Sequence, residues 1–414
     1  MAVLGRLFRL IWGGDVDRAL RPVLATGFAG AIAFSAGWSF MGIWAIKELE
    51  AGSGRLGAAY LVGAGLAGVS GYAGGHLSDH VGRRPLILIG WGGSALYFLL
   101  FLTAGHTVYL GLGLMAGAGV LGAFGGSSTQ AMVADLVHPE RREAAYASVR
   151  VAQNLGVVCG PPIGSLFLLL GGWHALFLGV SSLSASGFLL AYRYLPRTGA
   201  YAPDGPPERG SFGAIRRDRV FLLFLGSGVL AQLTYVAFEI VLPVSLVDSH
   251  GLKASTWGFL VILNPAMVTF FQLRLTRRVR GISPAVKLSS AMLLMGLPFL
   301  LLSASSAIPV VLVVIFVFVI GEMLWVPTSQ SVIAALAPAD IRGAYMGAFG
   351  STGAVGFALA PFLGLQVRAG FGDSAMWGMF AAISVVGAVA GVAACRGVRV
   401  RTRDEDLGGE PAAA

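Results

Sequence analysis

The sequence has few charged residues and almost no cysteine. Lysine, arginine, aspartate and glutamate make up 12% of the 414 residues, whereas hydrophobic residues make up 56%. Ordinary soluble domains contain about 25% charged residues, so a chain this apolar needs the lipid bilayer as its solvent. The two cysteines, Cys159 and Cys395, lie in or at the end of apolar runs, which excludes a disulfide framework and indicates inert, buried thiols.

The sequence also lacks the motifs of several enzyme classes. It contains no Walker A sequence and no dinucleotide-binding fingerprint, so ATP coupling within this chain is unsupported. Most of the six histidines lie in loops or at helix ends, which argues against a membrane-embedded enzyme. His76, Asp79 and His80 have the spacing of metal ligands, but they lie at a glycine-flanked turn with no further ligand nearby. We therefore expect no catalysis, no metal and no cofactor.

Long apolar runs are what the sequence has in abundance, and they predict an all-α membrane protein with twelve transmembrane helices. The predicted spans are 22–46, 56–75, 86–104, 107–135, 144–170, 174–194, 220–247, 255–275, 285–305, 308–336, 342–367 and 374–396.

The net charge of +9 is distributed very unevenly along the chain. The termini and the even-numbered connections, with the adjoining helix ends, carry 25 of the 29 lysine and arginine residues. This asymmetry places both termini in the cytoplasm, and it is a topology signal, not a nucleic-acid footprint. The bias towards Gly, Ala and Arg is typical of a GC-rich bacterial genome, so we expect a location in the bacterial cytoplasmic (inner) membrane.

Landmarks recur at an offset of 199 residues, which indicates an internal duplication. The offset links Pro85 to Pro284, Pro139 to Pro338, Tyr146 to Tyr345 and Pro162 to Pro361. Two copies of a half-chain are expected of a two-half transporter. The predicted division is an N-terminal six-helix half at 1–195 with an interfacial segment at 1–21, a cytoplasmic linker at 196–219, a C-terminal six-helix half at 220–396, and a cytoplasmic tail at 397–414 that is disordered from Thr402.

Two of the twenty acidic residues lie deep inside predicted spans. Glu239 is in the seventh span and Glu322 is in the tenth. A carboxylate in hydrocarbon costs roughly 2.5 to 3.5 kcal/mol on insertion scales, and the cost falls if the group faces water, pairs with a cation or binds a proton. Removal from water disfavours the charged form of a carboxyl group, so such side chains are candidates to carry protons.

Other polar and aromatic residues accompany these acids at helical spacing. Gln232 and Tyr235 share a stripe with Glu239, and Trp325 lies three residues after Glu322. Aromatic rings beside acids suit an apolar or cationic substrate, so we expect both rings to line a cavity, with packing between helices or a place in the aromatic belt as the alternative.

A further polar pair lies in the fifth span. Arg150 and Asn154 are one helical turn apart, and Arg150 either points inward or reaches back to the membrane surface. The helix continues with small residues at four-residue spacing and with a proline, namely Gly156, Gly160, Pro161 and Gly164. The glycines favour close approach of another helix, and the proline favours a kink.

Two motifs resemble those of the major facilitator superfamily. The segment from Gly75 through Leu77, Ser78, Asp79, Gly82 and Arg83 to Arg84 resembles the cytoplasmic signature between its second and third helices. The glycine and proline pattern from Gly156 to Gly164 resembles the fifth-helix signature of its proton antiporters, although Ser165 replaces the last glycine. The acids of the seventh and tenth spans resemble those of twelve-helix bacterial multidrug:proton antiporters, but the fourth span, from Gly119 to Val133, lacks the arginine found in many of them.

The resemblance implies a proton-driven exporter of amphipathic or cationic small molecules that acts by alternating access. The proton gradient would drive transport, and we expect a monomer in the lipid bilayer without nucleic-acid partners. Asp79, Arg83 and Arg84 would form a gate with acids such as Asp135. A narrow-specificity transporter of a metabolite, sugar or lipid stays open as the alternative, as does a passive channel.

Overall fold

The computed structural model describes residues 18–51, 53–105, 107–197, 199, 211–248, 260 and 262–406. Within these ranges the backbone is helical with short connections, and no strand occurs. The helices of the described part are α1 (Arg21–Lys47), α2 (Ser53–Val81), α3 (Arg83–Leu100), α4 (Val108–Leu136), α5 (Arg142–Tyr194), α6 (Ser211–Arg217), α7 (Arg219–Val236), α8 (Leu242–Asp248), α9 (Leu263–Arg278), α10 (Pro284–Gly296), α11 (Phe299–Leu302), α12 (Ile308–Leu336), α13 (Arg342–Gly350) and α14 (Thr352–Asp406). The predicted all-α class is therefore confirmed for this part of the chain.

In the same ranges, nine helical runs are long and apolar enough to cross a membrane. Two of these runs are much longer than the others: one of 56 residues contains α5, and one of 59 residues contains α13 and most of α14. A straight helix of that length would measure more than about 80 Å, against roughly 30 Å of hydrocarbon.

Glycines break both long runs. In α5 the backbone leaves helical geometry at Gly171 and at Gly172, whose φ of 63° favours glycine. The chain turns back there, because Gly179 lies against the ring of Phe167, whereas twelve residues of straight helix would separate the two by about 18 Å. The break falls between the predicted spans 144–170 and 174–194.

A glycine also interrupts the helix in α14. Gly372 has a φ of 83°, and beyond it the ring of Phe380 returns to Gly364. The predicted spans 342–367 and 374–396 lie on either side of this break. The count of twelve spans nevertheless stays a prediction.

By packing, the described residues divide into two compact units. The first unit takes the residues before 209 together with Val268–Leu273 and Pro338–Ala354, and the remaining residues form the second unit. The division predicted from the repeat, at 1–195 and 220–396, stays a prediction. Most of the interfacial segment predicted at 1–21 and of the linker predicted at 196–219 lies outside the described residues.

The predicted tail at 397–414 differs from the structure in one respect. The backbone of α14 remains helical to Asp406, although we expected disorder from Thr402. No glycine or proline interrupts the sequence between Val398 and Asp406, so nothing in the backbone ends the helix earlier. Residues 407–414 lie outside the described part.

Each unit has its own aromatic core. In the first unit, Phe101 lies 5.1 Å from Phe177 and 5.5 Å from Trp44, measured between ring centroids. In the second unit, Phe238 of the π-helical segment Ala237–Val241 stacks on Phe318 at 4.0 Å. Buried aromatic rings contribute large apolar areas to each core, and they hold in place the helices that carry the polar residues.

Candidate functional site

The second unit contains a buried carboxyl group in the middle of its most apolar long helix. Glu322 of α12 is 1% exposed, and its Oε2 accepts a hydrogen bond of 2.7 Å from Nδ2 of Asn264. Asn264 lies in the first turn of α9 and is 8% exposed. A buried polar group needs a partner, and the amide supplies one from another helix.

The neighbourhood of Glu322 is tightly packed. A side chain on Gly321 would overlap the carbonyl of Ala291 and the side chain of Met295, so α12 lies close against α10 at this level. Trp325, one turn later, is buried and stacks on Phe224 with ring centroids 6.5 Å apart. Trp325 therefore has a packing contact, and its predicted role in lining a cavity stays a prediction.

The second predicted acid lies in an irregular helical segment of the same unit. Glu239 is exposed and belongs to the π-helical turn Ala237–Val241 between α7 and α8. Such turns occur frequently at functional sites, because the wider turn redirects a side chain. Tyr235 is half-buried, with its ring 6.1 Å from that of Phe318.

Gln232 is also half-buried, and its backbone and Cβ lie directly against Gly356 of α14. The predicted stripe of Gln232, Tyr235 and Glu239 is thus in one continuous helical stretch. The roles proposed for its three residues stay predictions.

The first unit contains a buried cluster of four charged side chains, which we call the charge cluster: Asp79, Arg83, Asp135 and Arg342. Arg83 forms ion pairs with Asp79 and, through Nε at 3.0 Å, with Asp135. Asp135 also pairs with Arg342, the first residue of α13. Two acids and two bases are thereby paired out of contact with water, in an alternating order.

Asp79 also binds the start of α13. Its two carboxylate oxygens accept hydrogen bonds of 2.8 Å from the backbone N–H groups of Gly343 and Ala344. These N–H groups have no partner within their own helix, and the positive end of the helix dipole favours a carboxylate there. Gly75 makes this approach possible, because a Cβ at this position would overlap the backbone of Gly343.

Gly82 and Arg84 complete the predicted loop. Gly82 joins α2 to α3 with a φ of 92°, a conformation that favours glycine. The predicted contact of Arg83 with Asp135 is present. Arg84 instead donates a hydrogen bond to the carbonyl oxygen of Tyr192 and lies over the ring of that residue.

The glycine pattern of the fifth span lies against α1. Side chains at Gly156, Gly160 and Gly164 would overlap the stretch of α1 from Phe28 to Phe40. The two helices therefore approach to backbone contact along this stripe, as small residues in membrane helices allow. Pro161 lies within the helical run and is half-buried.

The two polar residues ahead of this stripe are both half-buried. Nδ2 of Asn154 donates to the carbonyl oxygen of Arg150 at 3.0 Å, so the amide bonds to its own helix. An inward role for Arg150 stays a prediction.

Asn264 and Arg342 are site residues that the predictions from the sequence do not include. Asn264 is an amide within a predicted span, at 255–275, and this was the available signal. In the sequence, Arg342 contributes only to the uneven distribution of positive charge that indicates the topology. Its pairing with Asp135 joins residues 207 positions apart, so no local pattern could indicate it.

Comparison with known proteins supports one family. The model of the Major Facilitator Superfamily matches residues 23–361. A Na(+), Li(+), K(+)/H(+) antiporter of Planococcus maritimus is 26% identical over 393 residues, which cover 86% of this chain and 91% of that protein. Multidrug resistance protein MdtH of Cronobacter sakazakii is 27% identical over 338 residues, which cover 76% of this chain and 79% of that protein.

The fold has solved counterparts as well. The crystal structure of the human organic anion transporter MFSD10 (TETRAN) superimposes with a TM-score of 0.69 at 19% identity, and the match covers 91% of this chain and 100% of that chain. At this identity the similarity concerns the fold alone. Because the family match spans most of the sequence, the chain belongs to the Major Facilitator Superfamily, a family of membrane transporters.

Proposed function

We propose that the protein is a proton-coupled secondary transporter that exports amphipathic or cationic small molecules by alternating access. It works in a bacterial cytoplasmic membrane as a monomer of twelve spans, with both termini in the cytoplasm. The observation that carries the proposal is the carboxyl group of Glu322, which is 1% exposed within an apolar helix and bonded to Asn264. A buried acid of this kind in a membrane span is by default a functional site.

The partner of Glu322 suits a group that gains and loses a proton. An amide offers both N–H donors and a carbonyl acceptor. Asn264 donates to the carboxylate, and after rotation of its amide it can accept from the protonated acid. A cationic substrate that binds from the cytoplasm would require the charged form of Glu322, and protonation from outside would release that substrate. Glu239 is the second proton carrier in this proposal.

The charge cluster is the gate in the proposed cycle. Asp79 and Asp135 hold the start of α13, which belongs to the second sequence repeat, against α2 and α4 of the first repeat. These charge-assisted bonds favour one conformation, and the cycle requires them to break and re-form. The repeat carries Arg278 at the position that corresponds to Asp79, so the equivalent bonds cannot form in the second half.

The similarity to a protein named as a Na(+), Li(+), K(+)/H(+) antiporter supports proton antiport, and the similarity to a protein named for multidrug resistance supports a drug-like substrate. The glycine stripe at Gly156, Gly160 and Gly164 supports it further through its resemblance to the antiporter signature.

Proteoliposomes with an imposed proton gradient test the proposal. Uptake of a lipophilic cation into vesicles with inside-out protein should depend on the gradient in the wild type and fall to the rate of protein-free vesicles in Glu322→Gln. Glu140→Gln is the matched control, because Glu140 is an exposed acid in the turn after α4 and should leave transport unchanged. Gradient-driven transport that persists in Glu322→Gln would refute the assigned carrier.

A second candidate function is exchange of monovalent metal cations for protons. The oxygens of Glu322 and Asn264 are the ligands that hard cations prefer, and the similar protein from Planococcus maritimus is named for this exchange. The same vesicles decide between the two functions. Proton release on addition of Na⁺ or K⁺, without transport of the lipophilic cation, would favour cation exchange.

A further inference from the structure

Three arginines of the first unit lie at the same end of α3 and α5. Arg84 is the second residue of α3, Arg193 is in the last turn of α5, and Arg197 follows the end of α5. Within the described ranges, none of the three forms an ion pair. Their neighbour Arg83 differs sharply, since it pairs with two aspartates of the charge cluster.

Antiparallel packing of α3 against the second segment of α5 brings these arginines to the same end. Ser181 donates to the carbonyl oxygen of Ala95 at 2.7 Å, and Phe188 lies against Gly92. Residue numbers therefore rise along α3 as they fall along α5. Arg84 continues this order by donating to the carbonyl oxygen of Tyr192, the residue directly before Arg193.

The guanidinium groups of Arg84 and Arg193 each make a cation–π contact with an exposed tyrosine. The Arg84 group lies 5.5 Å from the ring centroid of Tyr192, and the Arg193 group lies 5.4 Å from that of Tyr194. Both rings are 59% exposed. Stacking on a ring face leaves the edge of a guanidinium group, where its donors lie, open to an anion.

We propose that Arg84, Arg193 and Arg197 bind the phosphate group of an anionic phospholipid. Guanidinium groups bind phosphate through two parallel N–H bonds, and tyrosine is enriched where membrane helices meet the headgroups. Arginines beside a membrane span attract anionic lipids. A free phosphate ion offers the same charge, but the cluster lies at the end of membrane helices whose exposed side chains, such as Leu96 and Leu189, are apolar and suit acyl chains.

Native mass spectrometry of the delipidated full chain tests the site with phosphatidylglycerol, and with phosphatidylcholine as the zwitterionic comparison. The wild type should bind phosphatidylglycerol more tightly. Each arginine removed should raise the apparent dissociation constant about fivefold, so Arg193→Gln loses about fivefold and the double variant Arg84→Gln, Arg193→Gln loses about 25-fold. Arg193 is exposed, so its variant should fold even if the double variant does not.

Arg55→Gln is the matched control. Arg55 also lies over an exposed tyrosine, 5.6 Å from the ring centroid of Tyr109, but it lacks the two neighbouring arginines. Its substitution should change the affinity less than about twofold. The proposal is wrong if Arg193→Gln binds phosphatidylglycerol as tightly as the wild type, or if phosphatidylcholine binds equally well. Displacement of the lipid by an excess of inorganic phosphate would show that the site binds a soluble anion instead.

Discussion

Two buried acidic sites within the described residues differ in their partners, not in their depth. Asp79 and Asp135 in the first unit are as completely buried as Glu322 in the second. The two aspartates pair with arginines, whereas Glu322 accepts a hydrogen bond from the neutral amide of Asn264. An ion pair ties an acid to the helix that carries the arginine, whereas a neutral amide offers a carboxyl group both a donor and an acceptor. The roles that we propose, gating at the first site and proton transfer at the second, rest on this difference in partners.

Removal of one carboxylate from the charge cluster should have the largest effect on stability. Asp135→Asn leaves Arg83 and Arg342 buried without the anion that they share, so the free energy of unfolding should fall by about 3–5 kcal/mol. Denaturant titration of the purified protein in detergent measures the change. Addition of Arg342→Met should then cost less than it does in the wild type, because its partner is already lost.

Glu140→Gln serves as the control for this loss of charge, since Glu140 is exposed and close to Asp135 in sequence. Its free energy of unfolding should stay within about 0.5 kcal/mol of the wild-type value. An equally small change in Asp135→Asn would show that the cluster contributes little to the fold, and the comparison between the two sites would fail.

The sequence predicted the charge cluster in part. Asp79 and Arg83 belong to a recognisable loop signature, and Asp135 was expected near them as a partner. Arg342 and the N–H groups of Gly343 and Ala344 could not be predicted, because they depend on how the start of α13 packs against α2. Contacts between residues more than 200 positions apart leave no periodic pattern in a single sequence. Arg84 shows the same limit, since its partner is a backbone carbonyl group.

The second largest loss of stability should follow substitution of Asn264 in the second unit. Asn264→Ala removes the donor that bonds the carboxyl group of Glu322, so it should lower the free energy of unfolding by about 1–3 kcal/mol. Asn154→Ala is the matched control. The Asn154 amide bonds to a carbonyl group within its own half-exposed helix, and its loss should cost less than half as much. Denaturant titration measures the free energy of unfolding of both variants. Equal losses would show that the bond to Glu322 stabilises the protein no more than a hydrogen bond within one helix does.

The second site was also predicted only in part. An acid in a long apolar run is conspicuous, so Glu322 and Glu239 were recognised as candidates. The residues that surround these two acids were not predicted, because helical spacing identifies only neighbours on the same helix. Asn264 lies on α9, and Phe224, on which Trp325 stacks, lies on α7. The fold class followed from composition, since a chain with 12% charged residues must cross the bilayer as helices.

The smallest effect on stability should come from Glu322→Gln, and it is the sharpest test of the comparison. Glutamine keeps the size of the side chain and an oxygen that can accept the bond from Asn264, so the free energy of unfolding should change by about 1 kcal/mol or less. Transport should nevertheless be lost, because glutamine cannot carry a proton. A loss of stability as large as that of Asp135→Asn would mean that the charge of Glu322 holds the fold together. The two buried sites would then be of the same kind, and proton transfer would have to be sought at Glu239.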